Sequence, residues 1–113
     1  MTTNRQEKVS RLLQKELGEY LQRSGPEITG GKMITVTVVR ISPDLGIARV
    51  YLSVFPGEGA EEAVKTISDK AGLVRSTLGN KLRNQLRHIP QFTFFLDDSL
   101  DYIDRIEDLL KDE

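Results

Sequence analysis

Between residues 70 and 88 the chain carries Lys70, Arg75, Lys81, Arg83 and Arg87 and no acid. Guanidinium and ammonium groups at that density suit the neutralisation of phosphates, and arginine adds a planar fork that meets phosphate oxygens in pairs. Their spacing places them on a helix. Val74, Leu78, Leu82 and Leu86 recur every fourth residue as an apolar row. Arg75, Gly79, Arg83 and Arg87 follow one position later, about 100° round the same cylinder. A helix that buries the first row presents the second, with Gly79 allowing close backbone approach. Two plainer accounts stand beside this one. A basic row is also the ordinary solvated face of a surface helix, and Gly79 is also small where a neighbouring element packs on it. Arg5 and Lys8, near the start of the chain, are second-tier cationic candidates.

Other chemistries find little support. The chain has no cysteine, which excludes disulfides, thiolate zinc sites and a cysteine nucleophile. His88 is the sole histidine, and between Arg87 and Ile89-Pro90 it reads as a turn residue near phosphate, not as a ligand or general base. Asp97, Asp98, Asp101 and Asp104 begin an expected helix, where caps and dipole partners account for them better than a divalent ion. No phosphate-cradling Walker loop, nucleophile elbow or dinucleotide fingerprint is present. Neither a catalytic activity nor a metal or cofactor is expected.

The formal net charge of −1 conceals an asymmetry. Residues 1–96 hold 14 Lys/Arg against 9 Asp/Glu, and residues 97–113 hold 2 against 8. A basic body is followed by an acidic end, which is either a solvated terminal helix or a device that orients the basic face or restrains it from indiscriminate RNA binding. Charges scattered through the first twenty residues exclude a signal peptide, and no apolar run approaches the roughly 18 residues of a membrane span. The expectation is a cytoplasmic protein. At 113 residues a single domain, here 1–113, is the natural size.

The elements that must position these residues follow from periodicity. Val9, Leu12, Leu13, Leu17, Tyr20 and Leu21 predict an amphipathic helix over 6–23, stopped at Gly25-Pro26. The β-branched run from Ile34 to Val39 predicts a strand over 33–41. Ser42-Pro43-Asp44-Leu45-Gly46 reads as a turn in which Gly46 is free to take positive φ. A second strand over 47–55 sets Ala48, Val50, Leu52 and Val54 against Arg49, Tyr51 and Ser53, completing a hairpin. Ala63, Val64, Ile67 and Ala71 mark a helix. It kinks at Lys70-Ala71-Gly72 into the basic helix, which is expected to run to His88-Ile89-Pro90. Residues 91–96 alternate as a third strand, parallel to a member of the hairpin because a helical crossover precedes it. Phe92 and Phe94 are expected in the core, Phe95 has the better chance of exposure, and Tyr51 is a weak candidate for base stacking. Leu100, Ile103, Ile106, Leu109 and Leu110 predict an acidic C-terminal helix at about 99–111. The order α-β-β-α-α-β-α gives an α+β fold, with helices on one face of a three-stranded mixed sheet.

That order is the order of type II KH domains, which bind single-stranded nucleic acid. Within it the chain resembles the bacterial ribosome-binding factor A family. The resemblance rests on Arg5-Gln6-Glu7-Lys8-Val9, Gln14-Lys15-Glu16-Leu17, Ser42-Pro43-Asp44-Leu45, Ala48-Arg49-Val50-Tyr51-Leu52-Ser53, Gly72-Leu73-Val74-Arg75-Ser76 with Leu78-Gly79, and Phe92-Thr93-Phe94 with Asp97-Asp98-Ser99. The motifs occur in the family's order across residues 5 to about 100. The Gly-x-x-Gly loop of ordinary KH domains is absent. The family has a kinked Ala-x-Gly there, of which Lys70-Ala71-Gly72 keeps the glycine and not the first alanine. Lys70 either adds a phosphate contact at the kink or is tolerated on an exposed turn. The resemblance implies a monomeric assembly factor that binds 16S rRNA within the immature 30S subunit and assists its maturation and 16S rRNA processing. Assembly GTPases are open as further partners. Arg75, Arg83, Arg87, Lys81 and Lys70, with Gly72, Ser76 and Gly79, then form the expected RNA-binding face, and Arg5 and Lys8 support it. The rival function is a non-enzymatic protein–protein adaptor on the same fold, working through the acidic helix or a sheet edge.

Overall fold

The computed structural model describes residues 4–97, so the acidic helix expected at about 99–111 lies outside the described residues. Helix α1 (Asn4–Arg23) buries Val9, Leu13, Leu17 and Leu21, an i, i+4 stripe that lies against the sheet. Gly25 interrupts it, but Pro26 opens a further single turn, α2 (Pro26–Thr29), with proline in its first turn and Gly30 closing it at φ 67°. Four residues are too few to show a period, and the sequence alone reads them as a stop.

Strands β1 (Met33–Ile41) and β2 (Ile47–Phe55) form the expected antiparallel hairpin. Its register slips once: Val36 pairs with Leu52 and Val38 with Tyr51, leaving Thr37 as a bulge. The bulge shifts the alternation, so that Ile34 and Val36 before it and Val39 and Ile41 after it all face the core. An unbroken β-branched run conceals such a slip, because either register would be apolar. In the hairpin turn it is Leu45, not Gly46, that takes positive φ, at 60°. Leu45 N–H donates to Ser42 O (2.8 Å), Gly46 N–H to the Asp44 carboxylate (3.0 Å), and Ile47 N–H to Ser42 Oγ (3.0 Å). These bonds wrap the chain round Leu45, whose side chain packs on the core. That packing offsets a left-handed cost of about 1–2 kcal/mol for a residue with a Cβ.

Helices α3 (Ala60–Asp69) and α4 (Ala71–Leu82) meet at Lys70, whose φ of −103° and ψ of 14° make the expected kink. Strand β3 (Gln91–Leu96) runs parallel to β2, giving the order β1-β2-β3. Leu13 and Leu17 of α1, Ile67 of α3 and Val74, Leu78 and Leu82 of α4 meet Val50 and Leu52 of the sheet in a core closed to solvent. Phe92 and Phe94 face it too, and Phe95 is 38% exposed on the other side. Among the described residues no helix is long and apolar enough to cross a membrane.

Helix α4 does not run to His88 as its apolar row predicts. It ends at Leu82, whose carbonyl accepts both Gln85 N–H and Leu86 N–H at 2.8 Å. Strand β3 has to begin at Gln91, whose N–H donates to Gly46 O (2.9 Å) at the hairpin turn. Six more helical residues would have carried the chain about 9 Å further along the helix axis and left two residues for the return. Tertiary geometry overrides a good local pattern here. Leu86 still packs against the core, but from a loop.

Candidate nucleic-acid interface

The loop after α4 folds back along the helix that precedes it. The Arg75 guanidinium donates from Nε to Ile89 O (3.0 Å), and Ile89 Cγ1 lies 3.5 Å from where a Cβ on Gly79 would stand. Gly79 is thus small beside a packed loop, with room for one methyl group at ordinary contact distance. The opposite wall is set by α1. Gln6 is buried and donates from Nε2 to Ile41 O (2.9 Å), which pins the first turn of α1 to the end of β1. Arg5 and Lys8 flank that anchor on either side.

Between these walls lies a groove of about 1060 Å³. Val9, Leu12, Leu45, Leu86, Ile89 and Pro90 form its apolar floor, buried or half-buried, while Arg5, Lys8, Arg75, Arg87 and His88 stand exposed around it. Arg75 spends one donor on Ile89 and keeps its two terminal nitrogens. The first turn of α1 adds the partial positive charge of a helix N-terminus. Asp44 is the one acid in the wall. The Ser42 hydroxyl, and after it the Gly46 N–H, hold its carboxyl below the ordinary 3.8, so it remains an anion.

The ten expected residues therefore divide. Arg5, Lys8, Arg75 and Arg87 come together on the groove, although Arg87 reaches it from the loop and not from a helical row. Arg83 caps the C-terminus of α4, exposed and outside the groove lining. Lys81 faces α1 instead, with Nζ 2.6 Å from Glu16 Oε2 and 3.7 Å from Glu19 Oε2. The hydrogen bond to Glu16 raises its pKa above 10.5. Lys70, Gly72 and Ser76 sit at and just after the kink, apart from the groove lining, and nothing lies within 4 Å of where a Gly72 Cβ would point. Sequence reasoning missed Gln6, Leu45 and Ile89. Gln6 had a signal: a polar residue three before Val9 on the apolar stripe, where burial requires a specific partner. Leu45 and Ile89 had none, since each depends on how a loop closes.

Helices packed on one face of a β1-β2-β3 sheet in the order α-β-β-α-α-β, with the single turn α2 added after α1 and with α3 and α4 meeting at a kink, define a KH-like α+β domain. The sequence model of the family Ribosome-binding factor A matches residues 5–110, and the chain belongs to that family. It is 43% identical over 110 residues to ribosome-binding factor A of Christiangramia forsetii, covering 96% of this chain and 84% of that one. It is 42% identical over 108 residues to the Chlorobaculum tepidum protein of the same name, covering 95% and 88%. The crystal structure of ribosome-binding factor A from Thermus thermophilus shares the fold, with a TM-score of 0.66 at 24% identity over 80% of this chain and 94% of that one. Coordinates of the Thermus thermophilus factor fitted into a cryo-EM map of its complex with the 30S subunit match with a TM-score of 0.58 at 25% identity, covering 76% and 88%.

Proposed function

We propose that this protein binds the small ribosomal subunit through 16S rRNA phosphates and assists the maturation of that subunit and the processing of its RNA. It acts by binding, as a cytoplasmic monomer, with no catalytic step of its own; assembly GTPases are its candidate partners for release. Membership of the ribosome-binding factor A family supports this, as does the 30S complex of the Thermus thermophilus relative. The observation that carries the choice of surface is the convergence of Arg5, Lys8, Arg75 and Arg87 on one groove from α1, α4 and the loop after it. Phosphates follow the cationic rim, and the apolar floor receives what stands between them. Lys70, Gly72 and Ser76 at the kink form a smaller second contact. Arg83 contributes at the periphery, and Lys81 contributes least because Glu16 already occupies its charge.

Four neutralised phosphates give a slope of log K against log salt of roughly −2.8 to −3.6. The test is co-sedimentation with purified small subunits over a salt series, repeated with Arg5, Lys8 and Arg87 changed together to Glu. Loss of binding at unchanged thermal stability supports the groove. Full binding by the triple variant removes it, and a slope near zero removes the phosphate mechanism altogether.

A further inference from the structure

Helices cover one face of the sheet, and the other face is unusually apolar. Of the six large hydrophobic side chains that stay exposed among the described residues, Met33, Val38, Ile47, Phe55 and Phe95 all point from this outer face. At its centre Val38, Tyr51 and Phe95 form one row across the three strands, with the Tyr51 and Phe95 rings stacked at 5.3 Å. The next row holds Arg40 beside Arg49, neither of which has an ion pair among the described residues. Exposed apolar surface on this scale marks a contact surface.

The chain itself heads toward this surface. Asp97 N–H donates to Leu52 O (2.7 Å), continuing the ladder with β2, and the Asp97 carboxylate accepts the hydroxyl of Thr37 on β1, so its side chain reaches across β2. By strand alternation Asp97 is on the same side as Phe95. Residues 98–113 follow, with seven acids against two bases and an apolar stripe at Leu100, Ile103, Ile106 and Leu110. A helix of that length is about 24 Å long. The nine-residue strand β2 spans about 30 Å.

We propose that residues 98–113 are the occupant of the outer face, returning antiparallel to β3. Leu100 and Ile103 then lie on the Val38–Tyr51–Phe95 row, and the later acids, Glu107, Asp108 and Asp112, reach Arg40 and Arg49. The attachment at Asp97 favours this segment over a separate partner, because tethering makes docking intramolecular at an effective concentration in the millimolar range. Docking there also holds the acidic end on the side of the sheet away from the helices that carry Arg5, Lys8 and Arg75, so it does not compete with phosphate for them.

The chain has no cysteine, so a single Arg105→Cys substitution in the 113-residue protein gives one attachment point for a nitroxide away from the acids that reach Arg40 and Arg49. Amide signals of Arg40, Arg49 and Thr93 should lose most of their intensity when the label is paramagnetic, and recover when it is reduced. The Thr93 signal, and those of positions 40 and 49, should recover also in the Arg40→Glu, Arg49→Glu double variant carrying the same label. Broadening centred on Arg5 and Arg87, or confined to residues next to position 97, overturns the proposal. So does broadening transferred to an isotope-labelled, nitroxide-free chain in a mixture, which assigns the face to a second copy. If a single-stranded RNA oligonucleotide shifts the Tyr51 and Phe95 signals and abolishes the broadening, the outer face is a nucleic-acid surface instead.

Discussion

The kink before α4 and the groove beside it both carry basic residues and have become different surfaces. At the kink, Lys70, Gly72 and Ser76 lie at and just after a helix start outside the groove lining, and space beyond Gly72 is open. Beside α4, the loop after it doubles back along the helix, and α1, α4 and that loop bring Arg5, Lys8, Arg75 and Arg87 to one groove with an apolar floor. A row of charges on a helix is cheap to form and says little. Charges gathered from separate segments need their anchors to hold, the buried bond of Gln6 to Ile41 and the exposed one of Arg75 to Ile89.

The difference is broken most forcefully by reversing charge at each surface in turn. Arg5, Lys8 and Arg87 changed together to Glu should lower affinity for small subunits by two orders of magnitude or more at low salt and flatten the salt slope by roughly 2.1 to 2.7, about 0.7–0.9 for each phosphate contact. Lys70→Glu should flatten it by about 1 at most. If the kink variant proves as damaging as the triple one, the surfaces have been ranked in the wrong order.

Anchoring gives the next largest effect. Gln6→Leu keeps the volume of the side chain close but leaves Ile41 O buried without its partner, at about 1–3 kcal/mol. Thermal unfolding should reveal the cost directly. Subunit binding should weaken beyond what instability explains, because Arg5 and Lys8 lose their fixed position, while the contact at Lys70 is untouched.

How much of this was legible differs between the frame and the site. Strand bounds, the hairpin, the parallel third strand and the kink all follow from alternation and from glycine and proline, because those patterns report burial on one face at a time. The α4 boundary, the bulge at Thr37 and the positive φ at Leu45 were not legible. Each is decided by where a distant segment must arrive: β3 beside Gly46, the core face of β1 on both sides of its bulge, and the hairpin turn under the groove. The expected site residues were named from charge, and charge has no address. Lys81 shows this best, since Arg83 two residues on has the same sequence credentials and no ion pair among the described residues, whereas Lys81 lies against Glu16 on another helix.

Gly79→Ala sharpens the comparison between packing and close RNA approach at mid-helix. The added methyl group meets Ile89 Cγ1 at 3.5 Å, ordinary contact, and alanine gains about 0.8–1.0 kcal/mol of helix propensity over glycine. The melting temperature should rise and subunit binding should stay unchanged. A binding loss without destabilisation would show instead that a phosphate or base comes against Gly79.

The smallest effect belongs to the cation that left the site. The Glu16 hydrogen bond raises the Lys81 pKa above 10.5, and Glu16 and Glu19 both favour its charged form. The stabilisation is therefore fully present below the unfolded-state value near 10.5 and is lost as pH rises through the higher folded one. Lys81 is exposed and solvent screens the pair, so the whole effect is small. A Lys81→Met variant should be slightly less stable than the parent at pH 7, and the gap should close as pH rises through the raised Lys81 value. The same variant should flatten the salt slope of subunit binding by clearly less than about 1, since a lysine already held by Glu16 has little charge left to give a phosphate. A full unit lost would mean that Lys81 exchanges Glu16 for RNA on binding, and that α1 and α4 separate at that edge.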